Sequence, residues 1–439
     1  MKSSSLVRFD LKVLGKKKKL CKPFFNPHCN SPVWLRLFVS LILCARPLTS
    51  EANLDSVQSP DWQVLDPFQA KLSKEYFEQA LRNIYCPRTS WYENWIKIKE
   101  AEVLIRKKKG GDEWYKLYFS DQNQTVPREI EWADPDKNNS LKGLRIALDP
   151  GHIGGRFSLM EGRHFSSNGH PPVKEGELAL LVAKRLKEKL VGNGAKVVLL
   201  REKNEPVTSN RPGDFDQEAD LWVREKELNL KKKYEPGERE KMLRKRREVL
   251  FYRISEIRAR AKLVNEVVRP DLVICLHLNA APWPSSEKQE LVERNDFHVL
   301  VNGCYMGGEL SDDRQRFEMI YRLVNGWART EQRVAECISR TFSGLTQLPA
   351  FRYKGPNALK IGSVPGVWAR NLLANRSYYC PVVFLEPYVA NSRDAFQRII
   401  LGDYPGKKSI DGMQRLSLIE EYAECVSEGI RKSFLPIRE

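Results

Sequence analysis

Five short runs of the chain are almost wholly apolar: LRIALD (144–149), AKVVLL (195–200), DLVICLHLNA (271–280), DFHVLVN (296–302) and PVVFLEP (381–387). A strand with one wet face alternates apolar and polar residues; strands that do not alternate are covered on both faces. Helical spacing fills the intervals. In GELALLVAKRLKEKLVGNG, Leu178, Leu181, Val182, Leu186 and Leu190 recur at helical intervals, and glycines end the run. SEIRARAKLVNEVV, TEQRVAECISRTFSGL (330–345) and a terminal stretch over roughly 413–433 read the same way. Strands and helices in alternation imply an α/β fold: a mostly parallel sheet with helices on both faces.

The chain ahead of this pattern divides in two. Residues 1–52 hold KKKK (16–19), then the short apolar run LFVSLILCA (37–45), then small and polar residues. Nine apolar residues cannot cross a bilayer, which takes about 20. A basic region, a short apolar run and small residues make an export signal, with cleavage after Ser50 or Ala52. A lipoprotein-type cleavage at Cys44 ranks second, because Leu43 is bulky for that position. The expectation is a protein of the periplasm or cell envelope, with no integral span once the signal is removed. Residues 53–142 read as a small α+β unit and linker. A helix at KEYFEQALRNIY precedes two strand-like stretches, WIKIKEAEVLIRKK and EWYKLYFS, joined by the turn KGGD.

Charge and cysteine narrow the class. The formal net charge is +17, and residues 1–52 supply nearly half of it. The remainder suits an acidic polymer or anionic surface. Residues 209–250 are dense in both signs and divided by Pro236 and Gly237. They read as a solvated helical hairpin inserted at the surface, or as an arm over the active site. Their interleaved acids argue against nucleic acid. The nine cysteines form no Cys-x-x-Cys, so neither a thiolate zinc knuckle nor a dithiol redox motif is supported.

Chemistry gathers at strand ends. RIALDPGHIGG breaks from a buried strand into proline and glycine, which places His152 just past the strand. His277 lies near the carboxyl end of the third strand. In open α/β sheets that edge is where ligands bind. Zinc takes histidine nitrogen and carboxylate oxygen, so two histidines call for an acidic third ligand. Glu175 and Glu177 stand at the start of a helix near those strand ends, and Glu386 ends the fifth strand. A glutamate buried there is costly unless a metal, a cation or a catalytic role relieves it. Asp149 is placed to accept a hydrogen bond from a histidine, or merely to end its strand.

Taken in order, ALDPGH, KEGELAL with AKRL and GAKVVLLR, ICLHLNA and PVVFLEP with AN resemble the zinc-dependent N-acetylmuramoyl-L-alanine amidases of the Amidase_3 type. The resemblance covers about residues 144–400 and makes 143–439 the catalytic domain. It implies zinc held by His152, Glu175 and His277, with Glu386 catalytic. Glu177, His164 and His170 are alternative ligands. Arg260 resembles the arginine that precedes the third strand in the family, and Asn279 joins Asp149 and Arg260 as a supporting or substrate-contacting candidate. EPYVAN is one residue shorter than the family's pattern, and the loop from His152 to Glu175 is longer. The segment 304–327 is suited to a helix over the cleft, which some relatives carry and a protein activator removes.

The implied reaction is hydrolysis of the amide between N-acetylmuramic acid and L-alanine of peptidoglycan. An amide is a poor electrophile and water a poor nucleophile; zinc acts on both, and a glutamate carries the proton. Two other readings stay open: a zinc hydrolase of a different cell-wall peptide bond, and a non-catalytic peptidoglycan-binding homologue.

Overall fold

The computed structural model describes residues 59–121, 141–167, 169–284 and 289–434, so the expected export signal and most of the expected linker lie outside the described residues. Among the described residues, no helix is long and apolar enough to cross a membrane.

The amino-terminal unit consists of a helix, α1 (Lys74–Ala80, continuing through Leu81–Tyr85), and an antiparallel sheet of β1 (Ile96–Ile98), β2 (Glu102–Arg106) and β3 (Trp114–Tyr118). WIKIKEAEVLIRKK, expected as one strand, is itself a hairpin. It turns at residues 99–101, where the Lys99 amide donates to the Glu102 carbonyl at 2.9 Å. The turn pairs Ile96 with Ile105 and Ile98 with Val103, which puts the apolar side chains on one face.

The larger part is an α/β sandwich around a seven-stranded sheet. Its elements are β4 (Arg145–Pro150), α2 (Glu175–Gly192), β5 (Lys196–Leu199), α3 (Asp216–Leu230), α4 (Pro236–Val249), α5 (Glu256–Lys262), β6 (Leu272–Leu276), β7 (Phe297–Val301), α6 (Asp313–Asn325), α7 (Trp327–Thr346), β8 (Leu359–Lys360), β9 (Val367–Ala369), β10 (Val382–Pro387), α8 (Arg393–Ile400) and α9 (Leu418–Ser433). The strand order is β8-β9-β7-β10-β6-β4-β5. Neighbours β5, β4, β6 and β10 all run parallel. The fourth expected strand, β7, runs antiparallel to β10 and parallel to β9. The sheet is therefore mostly parallel, and the amino end of β7 lies beside the carboxyl end of β10.

One face of the sheet packs on α2, α7 and α9 through Val182, Leu186, Leu190, Val334, Ile338, Tyr422 and Val426. The other, which carries Val273, Cys275, Leu300 and Phe384, packs on the helical run through α5 and on Tyr378. In α2 the buried stripe is Ala179, Val182, Ala183, Leu186 and Leu190; Leu181, expected in it, is 46% exposed. The terminal helix starts at Leu418 rather than near 413, because the Ser417 side chain caps it by accepting from the Glu420 amide.

The charged stretch forms the hairpin α3–α4, crossed by ion pairs Arg247–Asp216 (3.1 Å) and Arg239–Asp220, with Arg224–Asp220 (2.6 Å) within α3. At its foot, Phe215, Leu250, Phe251 and Ile254 pack on Ile153 and Phe157, in the loop that follows His152. The segment 304–327, expected to cover the cleft, instead seats the amino-terminal unit. Tyr305, Leu310, Phe317, Met319 and Leu323 share one apolar cluster with Trp62, Leu65, Phe77 and Leu81. Arg316 is buried there and donates to the Arg106 and Leu310 carbonyls, both at 2.7 Å.

Candidate metal centre

Three separate elements bring His152, Glu175 and His277 to one point. β4 ends at Pro150, and the Gly151 amide donates to the Leu276 carbonyl at 2.8 Å, which draws the His152 loop over the end of β6. His152 has φ +57°, a left-handed conformation that costs a non-glycine residue of order 1 kcal/mol or more. Arg260 holds it there. Its guanidinium donates to the carbonyls of Pro150 and His152, each at 2.8 Å, and to Asp149 Oδ1 at 2.7 Å.

Glu175 is the first residue of α2. A short ribbon pairing His164–Phe165 with Val173–Lys174 leads into it. The helix amino terminus favours a carboxylate at this position. Glu175 Oε1 lies 3.3 Å from His152 Nε2, 3.1 Å from His277 Nδ1 and 3.2 Å from the Leu278 amide. His277 follows the last residue of β6. Its ring stacks on Phe384 at 4.3 Å, and its carbonyl accepts from the Tyr422 hydroxyl at 3.0 Å.

The ring centroids of His152 and His277 are 4.9 Å apart and nearly perpendicular. Among the described residues these two histidines and Glu175 form a group whose ligand atoms all lie within 4.8 Å of one another. A tetrahedral ion with bonds of about 2.0–2.1 Å has ligand–ligand edges of roughly 3.3 Å. The carboxylate–imidazole separations of 3.1 and 3.3 Å match such edges. Two imidazoles and one carboxylate are also the donors zinc takes, with a fourth position left for solvent.

The titrating groups at the centre shift one another. Burial disfavours charge on His152, but Glu175 and Glu161 outweigh it and raise its pKa. Glu175 is buried too, yet His152 and His277 hold it well below the usual carboxylate range. Burial lowers the pKa of His277. Glu386 ends β10 at the same edge and is half-buried. Burial, then repulsion from Glu175, pushes its carboxyl up to about 8.

The other expected residues fall outside the group. Glu177 pairs with Lys174 at 3.0 Å. His164 sits in the ribbon opposite Lys174, and His170 is exposed, edge-on to Phe396 at 5.8 Å. Asp149 does not accept from a histidine. It takes Arg260, the Tyr378 hydroxyl at 2.6 Å and the Cys275 thiol at 3.7 Å, so it anchors the loop's anchor. Asn279 accepts the Ala280 amide at its side chain and the Ala390 amide at its carbonyl, both at 2.8 Å, which steadies the loop after Glu386.

The carboxylate beside His152 is Glu161, which the sequence reading passed over. It is 3% exposed, accepts the amides of Ile153 (2.9 Å) and Gly154 (3.1 Å), and lies 3.6 Å from His152 Nδ1. Its only signal in sequence is a lone acid within FSLMEG. Arg163, 3.8 Å from Glu175 Oε2, was also missed.

Gly151 has a specific reason to be glycine: a Cβ there would fall 2.3 Å from the His277 ring. Gly151→Ala is therefore expected to displace the imidazole, to cost about 1–3 kcal/mol of stability, and to weaken metal binding at least ~10-fold. Urea melts and zinc titration of the purified variant check both.

No protein-family model matches the sequence, and no curated protein does. Solved structures with similarity to the chain include the CwlD amidase from Clostridioides difficile in complex with the GerS lipoprotein (13% identity, 66% of this chain and 98% of that one, TM-score 0.37). The N-acetylmuramoyl-L-alanine amidase AmiC2 of Nostoc punctiforme shows 15% identity over 66% and 97%, with a TM-score of 0.34. The amidase Ami1 from Mycobacterium abscessus shows 14% over 67% and 99%, with a TM-score of 0.36. The fold and the site described above stand on the chain's own geometry.

Proposed function

We propose that this chain is an exported zinc-dependent hydrolase that cuts the amide between N-acetylmuramic acid and L-alanine in peptidoglycan. The observation that carries the reading is the convergence of His152, Glu175 and His277 from three elements, with Glu386 at the same sheet edge. The order of motifs that resembles the amidases supports the choice of substrate. Zinc held by these three residues would lower the pKa of water to about 7 and polarise the amide carbonyl.

The chain's own residues supply the rest. Glu386 accepts a proton from water and returns it to the leaving amine, and a pKa held near 8 suits a carboxyl to both tasks near neutral pH. Glu161 orients the His152 ring through its Nδ1 side, the usual task of a carboxylate behind a ligating histidine. Arg163 sets a positive charge beside Glu175 and Glu386.

Product analysis of digested cell walls tests the proposal. Free stem peptides that begin with L-alanine are expected. Shortened peptides would favour a hydrolase of another wall bond, and binding without release would favour a non-catalytic homologue.

A further inference from the structure

The hairpin α3–α4 adds little to the core along its shaft: α3 buries Ala219 and Val223, and α4 buries nothing. Its foot is fixed, since Phe215, Leu250, Phe251 and Ile254 pack with Ile153 and Phe157 in the loop that follows His152. α3 has 15 residues, so the far end of the hairpin stands about 22 Å from that foot.

That far end is LNLKKK (228–233), and all six residues are exposed. Leu228, at 77%, is the most exposed large apolar side chain among the described residues, and Leu230 is 60% exposed. Single exposed leucines are ordinary; two within three residues, followed by three lysines, ask for a reason. The charges of the shaft pair with one another, as Arg239–Asp220 and Arg247–Asp216 do. Among the described residues Lys231, Lys232 and Lys233 make no ion pair. From 228 to 237 the one acid is Glu235. The tip is also held in shape. Lys231 takes the left-handed conformation, φ +50°, that ends α3. The Glu227 carboxylate accepts the Tyr234 amide at 3.2 Å and lies 3.8 Å from Arg239 Nε, which closes the turn beneath the tip.

The geometry selects what could receive it. Residues two apart lie about 200° around a helix, so Leu228 and Leu230 face opposite sides of the last turn of α3. A protein face lying alongside α3 buries one of them and leaves the other wet. A medium that takes the tip end-on buries both. A lipid interface is such a medium: apolar side chains enter it by roughly 5–10 Å while lysines stay among the phosphates. Leu221, the next exposed leucine of α3, is about 10 Å behind Leu228 and too far back to enter.

We propose that the α3–α4 tip docks on an anionic phospholipid surface: Leu228 and Leu230 enter the bilayer interface end-on, and Lys231, Lys232 and Lys233 pair with lipid phosphates. The foot of the hairpin then holds the His152 loop about 20 Å or less from the bilayer, so docking sets the distance from the membrane at which the candidate metal centre works. The proposal is independent of the reaction assigned above.

Co-sedimentation of the full chain with vesicles tests it, with phosphatidylcholine alone and in equal mixture with phosphatidylglycerol. Binding to the mixed vesicles is expected, with little to the neutral ones, and it should fall as salt rises. Leu228→Ser with Leu230→Ser is expected to lose at least ~10-fold in vesicle affinity. The triple variant Lys231→Gln, Lys232→Gln, Lys233→Gln should lose about 100-fold, and Leu221→Ser should bind like the wild type. Amide hydrogen exchange over 228–234 gives a readout local to the tip, whatever residues 1–52 contribute to binding. It should slow several-fold with mixed vesicles in the wild type and not in the leucine or lysine variants. Urea midpoints check that each variant folds. Tip exchange unmoved by mixed vesicles, or slowed equally by neutral ones, overturns the proposal. So does slowing that survives loss of both leucines, which would mark simple charge attraction, or slowing that needs Leu221 as much as Leu228, which would mark contact along the side of α3.

Discussion

Glu386→Gln is expected to bind zinc like the wild type and to lose turnover by about 10²–10⁴-fold, the usual worth of a positioned general base, whereas His277→Ala loses both zinc and turnover. Metal analysis of the purified variants, alongside wall digestion, separates the two outcomes. A zinc-free Glu386→Gln would mean that base and ligand had been exchanged. The same variant carries a stability signature. The Glu386 pKa is raised in the folded protein, to about 8, so its ionised form is disfavoured by folding. A group of this kind contributes its full stability below its unfolded pKa of about 4.3 and loses it as pH rises through the folded value. In the metal-free state the wild type should therefore weaken between about pH 4 and 8, and Glu386→Gln should not. At pH 9 the variant should be the more stable by a few kcal/mol, or roughly several degrees in melting temperature. Excess zinc should shrink the difference, because a bound dication stabilises the ionised carboxylate.

How far the sequence revealed this arrangement depends on the length scale of the interaction. Continuous apolar strands and helical spacing are local patterns, and each of the five expected strands forms. The three residues that meet at one point were also legible, since His152 and His277 each sit just past a strand and Glu175 opens a helix. Strand direction was not legible. Nothing within DFHVLVN states that it runs antiparallel to β10, yet that reversal puts His298 opposite Glu386. For a carboxylate behind a histidine the sequence offers Asp149, which equally reads as the end of its strand, because nearness along the chain is the only guide. The structure gives Asp149 to Arg260 and gives that place to Glu161, which the loop folds back. The segment 304–327 was misplaced for a similar reason: its amphipathic pattern reports that a face is buried but not which partner buries it.

Arg260→Ala is expected to be the most destabilising single change at the site, by about 3–5 kcal/mol. Arg260 is 3% exposed and bonds Asp149, Glu256 and the carbonyls of Pro150 and His152. Truncation leaves two buried carboxylates without their cation. Asp149 keeps the Tyr378 hydroxyl, and Glu256 keeps the amides of Val207 and Thr208, but neither set neutralises a charge. Lysine is a poor substitute, because one ammonium cannot span both carboxylates and both carbonyls as the planar fork does. A urea midpoint for each variant reads the loss. Stability alone does not show that the guanidinium also shapes the metal centre. The triple variant Arg260→Met, Asp149→Asn, Glu256→Gln separates the two roles, since it removes the stranded charges together with the arginine. It should recover much of the lost stability yet bind zinc at least ~10-fold more weakly than the wild type, because the two guanidinium contacts to the Pro150 and His152 carbonyls are then lost. Wild-type zinc affinity in that variant would show that the His152 loop is self-supporting and that Arg260 serves the fold alone.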